Sequence, residues 1–383
     1  HRSNTSPTIS PDGRSLYLAL AGLGAPDPAS RHDPDADRDL DIYQIHLESG
    51  LVEPTVLLPG DDFRPVVAGE DLYWTHIDLV DQVVVIPASG GEAKVVVEDA
   101  QIPYWSPNGD QIAFTYGAWR IVDWALNLDA GVVGVDENCR PTSTPRPFVV
   151  GYHEDFTPVW SPDGEWIAYH SHRSDAPVDS YAAAGSTDDI YLRRASAPMD
   201  SEIRLTDFGV EVGNADWSPD GTRLVFDSWG QSDSPSVARP WMVTIDPEEG
   251  RPIHTGPLPL PDEFGGTSYS AWSPAGDRIA LIEERPGDAQ ALWLMNLDGS
   301  DPVQLTTFRS LTYGGVDWTP DGNRLVFSAL AGERMQLFGI STEGGEPTQL
   351  SHDSGGLLHP QVSSDGRWIA ATRVHRSIEL RRK

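Results

Sequence analysis

One short pattern recurs from end to end of the chain and limits what it can fold into more than any other feature. It reads Ser10-Pro11-Asp12-Gly13, then Trp105-Ser106-Pro107-Asn108-Gly109, Trp160-Ser161-Pro162-Asp163-Gly164 and Trp217-Ser218-Pro219-Asp220-Gly221. It returns as Trp272-Ser273-Pro274-Ala275-Gly276, Trp318-Thr319-Pro320-Asp321-Gly322 and Ser363-Ser364-Asp365-Gly366. An eroded copy between Phe63 and Tyr73 has Ala68-Gly69-Glu70-Asp71 in the same place, which makes eight copies. Each has the chemistry of a tight turn. Pro presets φ at about −65° for the first corner, Asp suits the second, and Gly takes the left-handed position after it.

An alternating apolar stretch follows each turn, as in Ile112-Ala113-Phe114, Ile167-Ala168-Tyr169, Leu224-Val225-Phe226 and Leu325-Val326-Phe327. Alternation bounded by Gly and Pro marks half-buried strands, and no segment holds a helical period. Asp41-Ile42-Tyr43, Asp189-Ile190-Tyr191 and Leu292-Trp293-Leu294 mark a third strand, and Arg204-Leu205-Thr206 and Gln304-Leu305-Thr306 close a fourth. Eight copies in 383 residues give a period of roughly 48, near the length of a propeller blade. The expectation is all-β: a single closed β-propeller of eight blades of four antiparallel strands, with seven blades as the alternative. The blades fall at about 5–60, 61–99, 100–151, 152–207, 208–260, 261–307, 308–351 and 352–383. The last stops short of a fourth strand, so it is expected to be either three-stranded or completed by a segment that this sequence does not contain. The Trp before each turn is assigned to the core between blades.

Repeats of the form Trp-Ser-Pro-Asp-Gly-x-x-Ile-Ala-Phe, followed by Asp-Ile-Tyr and a closing Leu-Thr, resemble the TolB-like (WD40-like) propeller superfamily. That group includes the propeller domains of prolyl-oligopeptidase-type peptidases. The resemblance spans nearly the whole chain and implies the fold strongly and the function weakly, since propellers host many unrelated tasks. The expected home is extracytoplasmic: periplasmic, cell-surface or secreted.

The formal net charge of −31 repels phosphate backbones and anionic lipid, which argues against nucleic acid as a partner. No apolar run approaches the ~20 residues of a transmembrane helix. Cys139 is the only cysteine, so there is no intrachain disulfide and no Cys-based zinc site. The chain starts at His1 with no signal-like stretch and is expected to be a processed or trimmed product.

The repeat turns all lie on one face, so the irregular loops gather on the other, where binding sites usually sit. One insertion, 22–40, carries Asp33, Asp35, Asp37 and Asp39 at alternate positions. Such spacing suits calcium, but the glycine of the usual calcium loop is absent, and a solvated acidic loop is the competing reading. The same face collects His76, Asp78, His153, Glu154, His170, His172, Arg173, His352 and His359 as a candidate partner-binding surface. Several histidines on one face also suit a transition metal or a general base.

No catalytic residue is assigned. Gly266-Thr267-Ser268-Tyr269-Ser270 fails as a nucleophile elbow at its last position, and no zinc-peptidase, phosphate-loop or dinucleotide motif is present. The leading reading is a non-catalytic propeller that binds a protein or peptide partner through its loop face and central funnel, with calcium as the one cofactor considered. The alternative is a metal-dependent enzyme of the polysaccharide lyase or hydrolase type. Oligogalacturonate lyases are similar in repeat and length, and that resemblance would cast His352, His359 and Gln361 as metal ligands. A propeller cut from a longer multidomain protein is a third reading.

Overall fold

A computed structural model of the chain describes residues 7–21, 40–56, 61–69, 71–116, 129–149, 155–171, 189–196, 201–209, 212–229, 238–261, 264–285, 287, 289–310 and 314–383. All named elements among them are strands, and no helix is long and apolar enough to cross a membrane. By its contacts the chain divides into two compact units. The smaller comprises 1–80, 118–126 and 375–383, and the larger comprises 81–117 and 127–374.

In the smaller unit β1 (Thr8–Ile9), β2 (Ser15–Ala21), β3 (Leu40–His46) and β4 (Val52–Val56) form one antiparallel sheet in chain order. β5 (Asp61–Ala68) pairs there with the first half of β6 (Asp71–Pro87). Ala19, Ile42, Val56, Leu72 and Trp74 make its core.

The larger unit takes the second half of β6 together with β7 (Lys94–Glu98). Next come β8 (Ala100–Trp105), β9 (Gln111–Tyr116), β10 (Asp129–Gly134) and β11 (Arg146–Pro147), then β12 (Asp155–Trp160), β13 (Trp166–Ser171), β14 (Asp189–Arg194) and β15 (Ile203–Arg204). The third sheet is β16 (Val212–Trp217), β17 (Arg223–Trp229), β18 (Ala238–Ile245) and β19 (Pro252–Pro257). The fourth is β20 (Gly266–Trp272), β21 (Arg278–Glu284), β22 (Ala289–Asn296) and β23 (Val303–Arg309). The fifth is β24 (Val316–Trp318), β25 (Arg324–Ala331), β26 (Arg334–Ser341) and β27 (Thr348–Gln349).

The last repeat supplies β28 (Leu357–Val362) and the start of β29 (Trp368–Arg382). Its sheet is completed from inside the chain. The second half of β6 pairs with β29, and β7 pairs with β6. Residues 81–98, read from the repeat as part of the second blade, therefore share a sheet with residues 357–373, read as part of the eighth, which is neither of the two endings expected for the last repeat. The physical reason is the run Val83-Val84-Val85-Ile86, wholly buried on both faces. Val83 and Val85 pack with Ile112 and Phe114, while Val84 and Ile86 pack with Leu357 and Ile369.

The fold is the expected all-β propeller architecture. In the larger unit the innermost strands β8, β12, β16, β20, β24 and β28 lie against one another in turn, and β28 lies against β8. Core forms between neighbouring sheets. Val159, Ile190 and Leu192 of one sheet meet Trp217, Leu224 and Phe226 of the next. Each fully buried side chain of this size contributes about 1.5–3 kcal/mol.

All eight repeat copies form the hairpin assigned to them; six lie in this ring and two in the smaller unit. In each intact copy the Gly N–H donates back to the Ser or Thr carbonyl, as from Gly164 to Ser161 at 2.9 Å, with Gly164 at φ +73°. The Ser161 hydroxyl donates to Asp163 and accepts from the Trp166 N–H. Where the repeat has lost its Asp, at Asn108 and Ala275, the serine turns to Asp110 and Asp277 instead.

Candidate functional site

The innermost strand of each sheet is an edge, with N–H and C=O groups that no further strand pairs. Three repeat tryptophans satisfy some of these groups across the ring. Trp105 Nε1 donates to the Gln361 carbonyl at 3.1 Å, Trp217 to Val159 at 3.3 Å and Trp318 to Ala271 at 3.1 Å. The core role expected of the repeat Trp thus includes a polar tie to the preceding sheet.

Three residues before the Trp position, five of the six strands bulge. There Ile102, Thr157, Asn214, Tyr269 and His359 hold φ between 49° and 53°, a region non-glycine residues enter only under constraint. The sixth strand has Gly315 at φ 82° just before β24. Side chains of the second strands hold several of these bulges. Thr372 Oγ1 accepts the Ile102 N–H at 2.8 Å, Thr115 Oγ1 that of Thr157 at 2.9 Å, and Asp227 Oδ2 that of Tyr269 at 2.8 Å.

Ile102, Asn214, Tyr269, Gly315 and His359 line a narrow channel, with Tyr104, Asp216, Ser270, Asp317 and Gln361 also in its wall. Its volume is about 20 Å³, on the scale of one water molecule. The Tyr269 and His359 rings stand 5.9 Å apart, centre to centre, and His359 Nδ1 lies 3.1 Å from Thr372 Oγ1. Gly315 lets the two strands approach: a Cβ there would sit 3.2 Å from His359 Cα.

Acidic side chains bind backbone across the ring. Asp216 accepts the Trp272 N–H at 2.7 Å, and Asp317 accepts the Val362 N–H at 2.6 Å. Asp227, just behind, also accepts from Asn214 Nδ2 at 3.0 Å. Burial pushes Asp216 and Asp227 up to about 7 against these hydrogen bonds. Asp317 rises to about 8, through burial first and then the nearby charge of Asp216. Burial and the same three carboxylates push the Tyr104 phenol well above its ordinary value. The wall is therefore acidic, with ionisation set near neutral pH.

Of the histidines named from sequence, His170, His352 and His359 are the described ones in the larger unit. His359 lines the channel. His170 is buried edge-on to Phe156, on β13 at the place Thr115, Asp227 and Thr372 occupy on their strands. His352 is exposed beside Gln349 Nε2 at 3.0 Å. His76 belongs to the smaller unit, where its Nδ1 lies 2.7 Å from Asp62 Oδ1, which also accepts from Trp74 Nε1. His153, Glu154, His172, Arg173, Asp33, Asp35, Asp37 and Asp39, and the side chain of Asp78, lie outside the described residues. Among the described residues no group of three or more His, Cys, Asp or Glu is placed to hold a metal ion. Cys139 is buried, and burial pushes its thiol up to about 11.

Sequence reasoning passed over Tyr104, Asn214, Asp216, Asp227, Tyr269 and Asp317. A signal existed: aligned on the Trp, the repeats read Tyr104, Val159, Asp216, Ala271, Asp317 and Gln361 at the position before it. This variation lies within an otherwise uniform motif.

No family model matches the chain. It is 26% identical over 217 residues to the uncharacterized peptidase YuxL of Bacillus subtilis (strain 168), covering 55% of this chain but only 28% of the peptidase. Among solved structures, a putative TolB from Agrobacterium tumefaciens superposes with a TM-score of 0.54 at 17% identity, over 78% of this chain and 99% of that one. TolB from Acinetobacter baumannii gives 0.55 at 14% identity, over 84% of this chain and 78% of that one. Identities this low speak to fold alone, and the fold of this chain is that of the TolB-like β-propellers.

Proposed function

We propose that this chain is a non-catalytic, extracytoplasmic propeller that binds a protein or peptide partner at the mouth of the channel in its six-sheet ring. One observation carries the reading. Asn214, Tyr269 and His359 come from three different innermost strands, each on a strained bulge, and line one channel. Strain of this kind costs about 1–3 kcal/mol per residue and persists where surroundings enforce it, often at ligand clamps. An aromatic pair beside amide and carboxylate groups suits an extended peptide with mixed side chains.

The test uses peptides selected from a display library on the full chain. Replacing Tyr269 and His359 together by Ala should weaken the selected peptides by about tenfold or more at unchanged thermal stability. Peptides indifferent to both changes would sink the proposal. So would stoichiometric manganese, zinc or iron in the purified protein, which would favour the metal-dependent enzyme.

A further inference from the structure

Asp216 and Asp317 both line the channel, and among the described residues no Lys or Arg lines it with them. Among the described residues neither carboxylate has an Arg or Lys among the groups that perturb it. Their partners are backbone N–H groups, which leave further lone pairs on each carboxylate. A second observation is independent of the acids. Ser270 lines the same channel, is 3% exposed, and its hydroxyl has no hydrogen-bond partner among the described residues. A buried hydroxyl left without a partner costs about 1–3 kcal/mol, so it marks a place where a ligand group would be gained. Two carboxylates and a hydroxyl are thus available as acceptors, and among the described lining residues none carries a Lys or Arg charge.

Size then selects among cations. A space of about 20 Å³ holds one compact group, whereas a guanidinium is a broad planar fork. An alkylammonium is a point charge with three donors on a thin apolar stem. The Tyr269 and His359 rings, 5.9 Å apart in the same wall, offer the kind of surface along which such a stem lies well.

We infer that the channel takes a primary ammonium group of the bound peptide, from a lysine side chain or a chain amino terminus, with Asp216, Asp317 and Ser270 as its acceptors. This rests on the peptide-binding reading above and narrows it. No bond is made or broken; the ammonium keeps its protons and shares them among the three acceptors.

The first probe is n-butylammonium, titrated by calorimetry into the full chain. It should bind at least about tenfold tighter than n-butylguanidinium or 1-butanol. Asp216→Asn with Asp317→Asn should weaken it by about tenfold or more, and Ser270→Ala by about two- to fivefold. An Asn carbonyl can still accept the Trp272 and Val362 N–H groups, so the double variant retains its ties across the ring. Ser270→Ala stands alone should the double variant not fold. Affinity should climb from about pH 6 to about pH 9 as the carboxylates ionise while the amine stays charged. Equal binding of the alcohol or guanidinium, or variants that bind the amine as well as wild type, would overturn the inference. Calcium displacing the amine at the same two acids would also overturn it.

Selected peptides then separate the two sources, through amino-terminal acetylation in one arm and Lys→norleucine in the other. A loss of about tenfold in either arm supports the ammonium and names its origin. Peptides that depend on Tyr269 and His359 yet tolerate both changes would overturn the ammonium alone and leave the peptide reading standing.

Discussion

Asp216 and Asp220 belong to the same hairpin, yet their surroundings drive their acidities in opposite directions. At Asp220 partial burial works upward, but the Ser218 and Thr222 hydroxyls, the Thr222 N–H and Arg223 together hold the acid down at about 2. At Asp216 burial dominates the backbone hydrogen bonds and the acid rises to about 7. The two therefore act on stability with opposite sign. A lowered acid such as Asp220 stabilises above its unfolded value and loses that effect as pH falls toward 2. A raised acid such as Asp317, at about 8, burdens the fold increasingly as pH climbs from about 4, because the unfolded chain releases the proton first. Asp317→Asn should remove that burden. Urea unfolding of wild type should show stability declining from about pH 5 to about pH 9, and the variant should lose about 1–3 kcal/mol of that decline. Parallel profiles for the two proteins would show that Asp317 ionises normally in the fold. The position before the repeat Trp was visible in the sequence. Its role was not, because a carboxylate there acts through the backbone of a different repeat, and no local pattern records that partner.

At the scale of elements, the repeat made the hairpins legible and left the closure hidden. Each turn carries its own chemistry in consecutive residues, so Ser161-Pro162-Asp163-Gly164 could be read as a hairpin without knowing its neighbours. β6 is different. Its first half pairs with β5 across the eroded turn, and its second half, beyond residue 80, pairs with β29 and β7 in the last sheet. Pairing between residues so far apart in sequence has no signature in either segment. Only the unbroken apolar run Val83–Ile86 hinted at a strand covered on both faces. That closure makes the run a latch for the larger unit. Ile86 is fully buried with Leu357 and Ile369, so Ile86→Ala should cost about 2–4 kcal/mol. Hydrogen exchange should show protection lost together in residues 81–87 and 368–373, with β17 and β21 retaining theirs under mild denaturant. Uniform loss across all six sheets would mean that this sheet is no weaker a point of opening than the others.

At the scale of the whole molecule, charge was read directly from composition, and its consequence can be separated from that of the channel. A net charge of −31 places 58 acidic residues against 27 basic ones. Like charges on a compact chain repel, and salt relieves that repulsion once the Debye length falls to about 10 Å or less. The same field attracts a cationic partner, and salt weakens that attraction. Stability and binding should therefore respond to sodium chloride with opposite signs. Between about 0.02 M and about 0.5 M salt, the thermal midpoint should rise by several degrees. The association rate of a lysine-containing selected peptide should fall by about tenfold or more over the same range. A neutral peptide should show little change in rate, which keeps the steering effect distinct from any general action of salt on the fold. The dissociation rate should move far less, because the group inside the channel is buried and screened weakly by mobile ions. A peptide whose dissociation rate carried most of the salt dependence would be held by exposed charges on the rim, and the acidic channel would not be its anchor.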